Sequence, residues 1–120
     1  MSFIYIFLGG GIGSLVRFMI GNLIPYHNGF PWATFVSNLL ACFLFGLIYA
    51  QLERIDTVQV AKELKWLLLV GFCGGFSTFS TFSFETIQLI KSGQILEALA
   101  YIFLSTSMAV LFLFWGLQWR

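Results

Sequence analysis

Residues 74–83 read GGFSTFSTFS, and this run lies near the middle of an apolar stretch long enough to cross a membrane. It places two adjacent glycines and five hydroxyl side chains at the depth of a bilayer midplane. Polar groups in hydrocarbon are costly unless protein or water receives them. Phe76, Phe79 and Phe82 recur every third residue and alternate with the hydroxyls. The pattern predicts the lining of a pathway that offers hydrogen-bond donors and aromatic rings to something small.

The composition around this run is that of an integral membrane protein. The chain has 120 residues, of which 59% are hydrophobic and 9% are charged, whereas soluble domains carry about 25% charged residues. A spanning helix needs about 20 mostly apolar residues, so four spans nearly fill the chain. We predict spans over residues 3–24, 32–52, 66–90 and 95–117, with a short surface helix over 58–65. The fold class is therefore an all-α membrane protein with one four-helix transmembrane domain over residues 1–120.

The third helix is predicted to be broken near its middle, because Gly74 and Gly75 invite a break. If residues 74–85 formed one regular helix, the hydroxyls would point in nearly every direction and no face would suit lipid. Broken backbone at membrane depth is tolerated only when it is buried or lines a cavity. The alternative is a tightly packed helix whose hydroxyls bond to its own backbone.

Several function classes are excluded by what the sequence lacks. A net charge of +1 without a basic patch gives no reason to expect nucleic acid. His27 is the only histidine, so a zinc-type ligand set cannot be assembled. Cys42 and Cys73 lie in apolar stretches and are expected to be small buried residues. We expect no enzyme, because no nucleophile–base pair is evident. The first, second and fourth spans carry no deep carboxylate, which argues against an ion-coupled carrier.

The charges orient the chain only weakly. Arg54, Lys62, Lys65 and Arg120 lie on the side shared by the termini and the central loop, whereas Lys91 lies on the other side. The positive-inside rule therefore favours termini in the cytoplasm. A small chain with so modest a bias is a candidate for inserting both ways. A second copy of opposite orientation could then supply the inverted arrangement that many transporters use.

Polar side chains in the second and fourth spans are candidate partners for the central run. Thr34 and Asn38 are four residues apart and share a helical face. Asn38 could serve a ligand or could join two helices by hydrogen bonds. Tyr101 and Ser105 form a similar pair, for which ordinary interhelical hydrogen bonds are the simpler interpretation when the pair is taken alone. The pathway interpretation gains weight because three spans each offer a polar stripe at similar depth.

The first span carries GGGIGS at residues 9–14 and a single charge, Arg17. A dinucleotide site is rejected, because no acid follows at the required spacing and no βαβ unit fits. Small residues four apart instead predict close helix packing. Arg17 could snorkel to an interface or add positive potential to a vestibule. Glu85, which ends the polar run of the third span, is expected near the membrane surface.

Three motifs together resemble the small bacterial fluoride channels of the Fluc (CrcB) family. They are GGGIGSLVRF at residues 9–18, TFVSN at 34–38 and GFCGGFSTFSTFS at 71–83. The likeness covers essentially the whole length, although the fourth span is only loosely matched. The resemblance implies an antiparallel, dual-topology homodimer with two separate pores.

The resemblance also implies roles for individual residues. Phe79 and Phe82 would line a pore with their ring edges, and Asn38 would donate to the ion nearby. A ring edge is electropositive, and donors can replace part of a hydration shell. Thr34 is assigned to the same pathway, with Arg17 in its vestibule. The remaining residues of the implied polar track are Ser80, Thr81, Tyr101 and Ser105.

A structural sodium ion at the dimer interface is the implied cofactor. The resemblance places it between the two copies, held by the backbone carbonyls of Gly74 and Ser77 from each. The expected function is passive export of fluoride across the bacterial inner membrane, with fluoride, lipid and a second copy as partners. The alternatives are a small dual-topology multidrug exporter and a non-transporting membrane scaffold subunit. An exporter of that kind needs a carboxylate in the first span, where this chain has Arg17.

Overall fold

The computed structural model describes residues 1–25 and 29–119. His27 and Arg120, used above in the zinc and orientation arguments, lie outside the described residues. The described residues are almost entirely helical and contain no strand. In chain order the elements are α1 (Ser2–Leu23), α2 (Trp32–Leu52), α3 (Val58–Leu64), a π-helical segment (Lys65–Cys73), α4 (Gly74–Phe76), α5 (Phe79–Lys91) and α6 (Ile95–Leu117).

Four stretches within these residues are long and apolar enough to cross a bilayer: Ser2–Leu23, Trp32–Leu52, Val58–Lys91 and Ile95–Leu117. Three of them match the predicted spans to within one residue. The third is longer, because the predicted surface helix is not separate. Its backbone stays helical at Lys65 (φ −61°, ψ −44°) and continues into the π-helical segment. The protein is therefore a multi-pass membrane protein.

Glycine allows α1 to pack against the first half of the third span. A Cβ atom at Gly9 would meet the carbonyl oxygen of Leu67, and would lie 2.8 Å from the amide nitrogen of Phe72. A Cβ at Gly13 would meet the Phe72 carbonyl oxygen and would lie 2.8 Å from the Phe76 nitrogen. The prediction of close packing by small residues is confirmed at positions 9 and 13.

A second close helix contact, between α2 and α6, also depends on glycine. A Cβ at Gly46 would meet the carbonyl oxygen of Leu113, and a Cβ at Gly116 would meet that of Phe43. The bundle thus consists of two closely packed pairs, α1 with the first half of the third span and α2 with α6. The second half of that span, α5, packs on α6.

A tight turn over residues 91–94 joins the third spanning segment to the fourth. Gly93 has a left-handed backbone (φ 82°) and donates its N–H to the carbonyl of Ile90 at 3.1 Å. The N–H of Gln94 reaches the carbonyl of Leu89 at 2.9 Å. These two bonds form a Schellman motif, which ends α5 and starts the chain back towards α6.

The third span is broken, but three residues beyond the predicted position. Gly74 is helical (φ −64°, ψ −38°), and α4 includes Gly75. The extended residues are Ser77 (φ −78°, ψ 155°) and Thr78 (φ −149°, ψ 116°). The hydroxyl of Thr78 accepts the N–H of Thr81 at 3.2 Å and so caps α5. The break therefore lies where a side chain can cap the new helix, while glycine serves the packing before it.

Candidate functional site

One side chain of α2 holds the break in the third span. The Oδ1 atom of Asn38 accepts the N–H of Thr78 at 2.8 Å, and its Nδ2 atom donates to the Thr78 carbonyl at 3.3 Å. The helix-joining role considered for Asn38 is therefore confirmed. The bond to Thr78 uses one of the two N–H groups of the amide, and donation of the other to an ion stays a prediction.

The same bonds free two carbonyl groups at the break. A continuous helix would give the N–H of Thr78 to Gly74 and the N–H of Thr81 to Ser77. Here these amides donate instead to Asn38 and to the Thr78 hydroxyl. The Gly74 and Ser77 carbonyls do not receive them, and Gly74 is exposed at the surface of the chain. These two oxygens could hold a cation, as carbonyls at unwound membrane helices do.

A cavity of about 320 Å³ opens beside the break. We call it the central cavity. Its wall includes Asn38 from α2, Phe79 and Phe82 from α5, and Ser105 from α6. The extended residues of the break also line it. The structure therefore brings together four of the residues predicted for the pathway, although they come from three different helices.

The two phenylalanines differ in their surroundings. Their ring centroids lie 5.6 Å apart with an angle of 44° between the planes. The Phe79 ring is 79% exposed, while Phe82 is half-buried and lies 5.0 Å from the ring of Tyr101. Phe82 is thus fixed by its neighbour, whereas Phe79 projects from the chain and is open to lipid or to a second copy.

A buried hydroxyl in the cavity wall lacks a partner. The Oγ atoms of Ser37 and Ser105 are the two buried side-chain oxygens of the described residues that make no hydrogen bond. Ser105 is 7% exposed and lines the central cavity. An unsatisfied buried polar group costs about 1–3 kcal/mol. The cavity is therefore suited to water or to a ligand that accepts a hydrogen bond.

A second polar cluster forms around Glu85. The hydroxyl of Tyr101 donates to its carboxyl at 3.0 Å, and the Thr34 side chain lies close to the same carboxyl. Thr34 and Tyr101 are buried and meet at Glu85 instead of lining the central cavity. Phe82 connects the two regions, because its ring contacts Tyr101. Sequence reasoning missed this role of Glu85, although it is the only acid between residues 64 and 94.

The other predicted residues lie outside the cavity wall. The Nε atom of Arg17 donates to the carbonyl of Gly75 at 3.2 Å, so its charge lies beside α4. Ser80 is exposed and Thr81 is half-buried on α5. Their assignment to the ion pathway stays a prediction.

The two cysteines have different environments, contrary to expectation. Cys73 is buried at 3% exposure. Cys42 is only partly buried and lines the central cavity one helical turn beyond Asn38. The prediction of a buried residue is therefore confirmed for Cys73 and holds only in part for Cys42, because the face of α2 that carries Cys42 turns towards the cavity.

Comparison with known proteins gives matches along nearly the whole chain. The family model described as CrcB-like protein, Camphor Resistance (CrcB), matches residues 4–117. A protein of Flavobacterium psychrophilum is 44% identical over 115 residues, covering 94% of this chain and 91% of that protein. A protein of Leptospira interrogans is 44% identical over 119 residues, covering 96% and 91%.

The likeness extends to a third relative. A protein of Pyrococcus furiosus is 39% identical over 111 residues, covering 92% of this chain and 89% of that protein. All three relatives bear the name Fluoride-specific ion channel FluC. The family match includes every one of the four spanning segments except for a few terminal residues. On this match and these identities, the chain belongs to the CrcB family.

Proposed function

We propose that this protein is a fluoride-selective ion channel that lowers cytoplasmic fluoride by passive export. The observation that carries the proposal is the central cavity, which combines hydrogen-bond donors with aromatic rings beside a broken helix. The names of the relatives agree with this chemistry. Fluoride is a small, strongly hydrated anion, so its passage requires donors that replace water without holding the ion too tightly.

The donors of the cavity suit such an ion. The amide nitrogen of Asn38 and the unpartnered hydroxyl of Ser105 can both donate, and the edge of the Phe82 ring is electropositive. Of the residues that the structure describes, none that lines the cavity carries a carboxylate or an ammonium group. An anion would therefore meet no fixed negative charge there and no full positive charge that would trap it.

The pathway that we propose continues from the cavity past Phe82 towards Tyr101 and Thr34. The rings of Phe82 and Tyr101 are neighbours along this course, with centroids 5.0 Å apart. Ser80 and Thr81 belong to the same polar track on α5, and Arg17 contributes positive potential at a vestibule. Glu85 lies at the far end of this course, hydrogen-bonded by Tyr101.

The working unit that we propose is an antiparallel homodimer with two pores, each copy a single domain over residues 1–120 in the bacterial inner membrane. Two observations support it. Phe79 is 79% exposed although it borders the cavity, so a second copy could cover its ring. The weak charge bias between the two sides of the sequence suits insertion in both orientations.

A structural sodium ion between the copies is also part of the proposal. The freed carbonyls of Gly74 and Ser77 fit a hard cation, because oxygen ligands at an unwound helix suit sodium. Gly74 is exposed, so its carbonyl region is open to a partner. When bound, the ion supplies positive charge that joins the two chains. The residues Asn38 and Thr78 hold the backbone in the shape that presents these oxygens.

The test is fluoride efflux from liposomes that contain only this purified chain, with chloride as the comparison ion. We expect rapid fluoride loss without chloride loss. Phe82→Ile should reduce the fluoride flux about tenfold or more, which corresponds to roughly 1.4 kcal/mol. Phe103→Ile is the matched control, because Phe103 is 70% exposed on α6 and does not line the cavity.

Each negative result has a definite meaning. Equal flux through the Phe82→Ile and Phe103→Ile variants would overturn the assignment of Phe82 to the pathway. A folded wild-type protein that passes no fluoride would overturn the proposed single-chain channel and favour a scaffold or a two-subunit assembly.

A further inference from the structure

The central cavity extends beyond the residues assigned to the ion pathway. From Asn38 its wall continues one turn along α2 to Cys42, and from Ser105 it continues along α6 to Ala109 and Val110. Both stretches run towards the end of the bundle that holds the central loop and the C-terminus. The bond from Gln51 to the Trp119 carbonyl, 2.7 Å long, joins α2 to the chain after α6 at that end.

Among the described residues on this extension, Cys42 is the one thiol, and it is free. Its partial burial contrasts with that of Cys73, which is 3% exposed and does not line the cavity. The unpartnered hydroxyl of Ser105, itself more than nine-tenths buried, lines the same cavity. Because an unsatisfied buried hydroxyl is costly, this oxygen favours a hydrogen-bonding species in the cavity that Cys42 also lines.

We propose that Cys42 lies in the wall of the ion pathway, and that its thiol is a modification site for small uncharged thiol reagents whose adduct closes the pathway. The inference rests on the proposed function, because closure has meaning only if ions pass here. It adds a residue of the second span to the pathway, and it directs the pathway from Asn38 towards the end of the bundle that holds the termini.

The chemistry requires water at the thiol. With N-ethylmaleimide, the deprotonated sulfur of Cys42 adds to the carbon–carbon double bond, and a carbon–sulfur bond forms. The thiol proton passes through water to the neighbouring ring carbon, so nothing leaves and nothing is oxidised. A thiol that faces hydrocarbon has no water to take its proton and stays unmodified.

The experiment treats liposomes of the full chain with N-ethylmaleimide and follows intact mass and fluoride efflux together. We expect one adduct, located at Cys42 by peptide mapping, and loss of most of the flux. Cys73→Ala should gain the same adduct and lose flux to the same extent. Cys42→Ala should gain no adduct at matched exposure, and its own flux should not change on treatment.

Three results would overturn the inference. An unmodified Cys42, in protein whose cysteines react fully once it is unfolded, would mean that the cavity is closed there. An adduct at Cys42 with unchanged flux would mean that the thiol lies beside the pathway and not in its wall. Absence of fluoride flux before treatment would overturn the proposed function itself, while the mass measurement would still report whether water reaches Cys42.

Discussion

At the scale of single residues, the site depends most on Asn38. Its side chain bonds both to the amide and to the carbonyl of Thr78, and it borders the central cavity. An amide can satisfy a donor and an acceptor at once, which neither a carboxylate nor a hydrocarbon side chain of the same size can do. The chemistry of the residue, and not only its size, is therefore what the break requires.

Asn38→Asp should sharply reduce fluoride flux. The carboxylate could still accept the N–H of Thr78, but it could not donate to the Thr78 carbonyl, and it would place a negative charge beside an anion pathway. Leaving a buried acceptor unpaired costs about 1–3 kcal/mol, so we expect about a tenfold loss or more. The loss is measured as fluoride efflux from liposomes, normalised to the amount of folded protein.

Gln51→Glu is the control for this substitution. It makes the same change of amide to acid at the exposed end of α2, where Gln51 donates to the Trp119 carbonyl. We expect its flux to stay near that of the wild type. Equal losses in the two variants would show that the added charge acts from anywhere on the chain, and would remove the local role of Asn38.

The resemblance implied that Asn38, Phe79, Phe82 and Ser105 share a pathway, and the structure places all four in the wall of the central cavity. The sequence did not predict Cys42 there. Whether a small apolar residue faces a cavity or a neighbouring helix depends on how the helices rotate against each other. That rotation is set by packing among several spans, which no local pattern in one span records.

At the scale of the elements, the third span differs most from its sequence-based prediction. The lengths of the other three spans follow from hydropathy and were predictable. The π-helical stretch Lys65–Cys73 was not, because its wider turn has no residue signature comparable to a cap or a proline. The glycine pair predicts the break at Gly74 and Gly75, but the break lies just beyond them, where Thr78 caps the start of α5. A glycine that breaks a helix and a glycine that lets another helix pack closely look the same in the sequence.

The packing role of glycine gives a prediction for α1. Gly13→Ala should destabilise the protein by about 1–3 kcal/mol, because the new methyl group would meet the backbone of Phe72 and Phe76, and overpacking a close contact costs that much. Gly11→Ala is the matched control, because nothing lies within 4 Å of a Cβ atom at Gly11. Thermal unfolding in detergent compares the two, and equal melting temperatures would contradict the packing argument.

At the scale of the whole molecule, many large apolar side chains lie on the outer surface. Phe3, Phe7 and Phe18 of α1 are 85%, 78% and 65% exposed. In a membrane protein such side chains suit lipid and a partner helix equally, because lipid tails are as apolar as leucine. For this reason composition predicted the membrane fold, while the dimer remains a proposal that rests on the resemblance and on the site.

Sodium removal tests that assembly. If the carbonyls of Gly74 and Ser77 hold sodium between two copies, replacing sodium by N-methylglucamine at equal ionic strength should lower the melting temperature of the purified dimer. Saturation at a hundred times the dissociation constant would contribute about 2.7 kcal/mol. Equal ionic strength controls for screening. An unchanged melting temperature and an unchanged dimer on size-exclusion chromatography would argue against the ion.

The two hydrogen bonds between Asn38 and Thr78 have a consequence for how sequences of this family can vary. The same amide borders the central cavity and takes the Thr78 N–H that a continuous helix would give to Gly74, so the proposed ion pathway and the proposed sodium site depend on one residue. A substitution at position 38 that changed one of these proposed sites would also disturb the other. Variation that adjusts selectivity should therefore accumulate at positions such as 42 and 109, which border the cavity without holding the break.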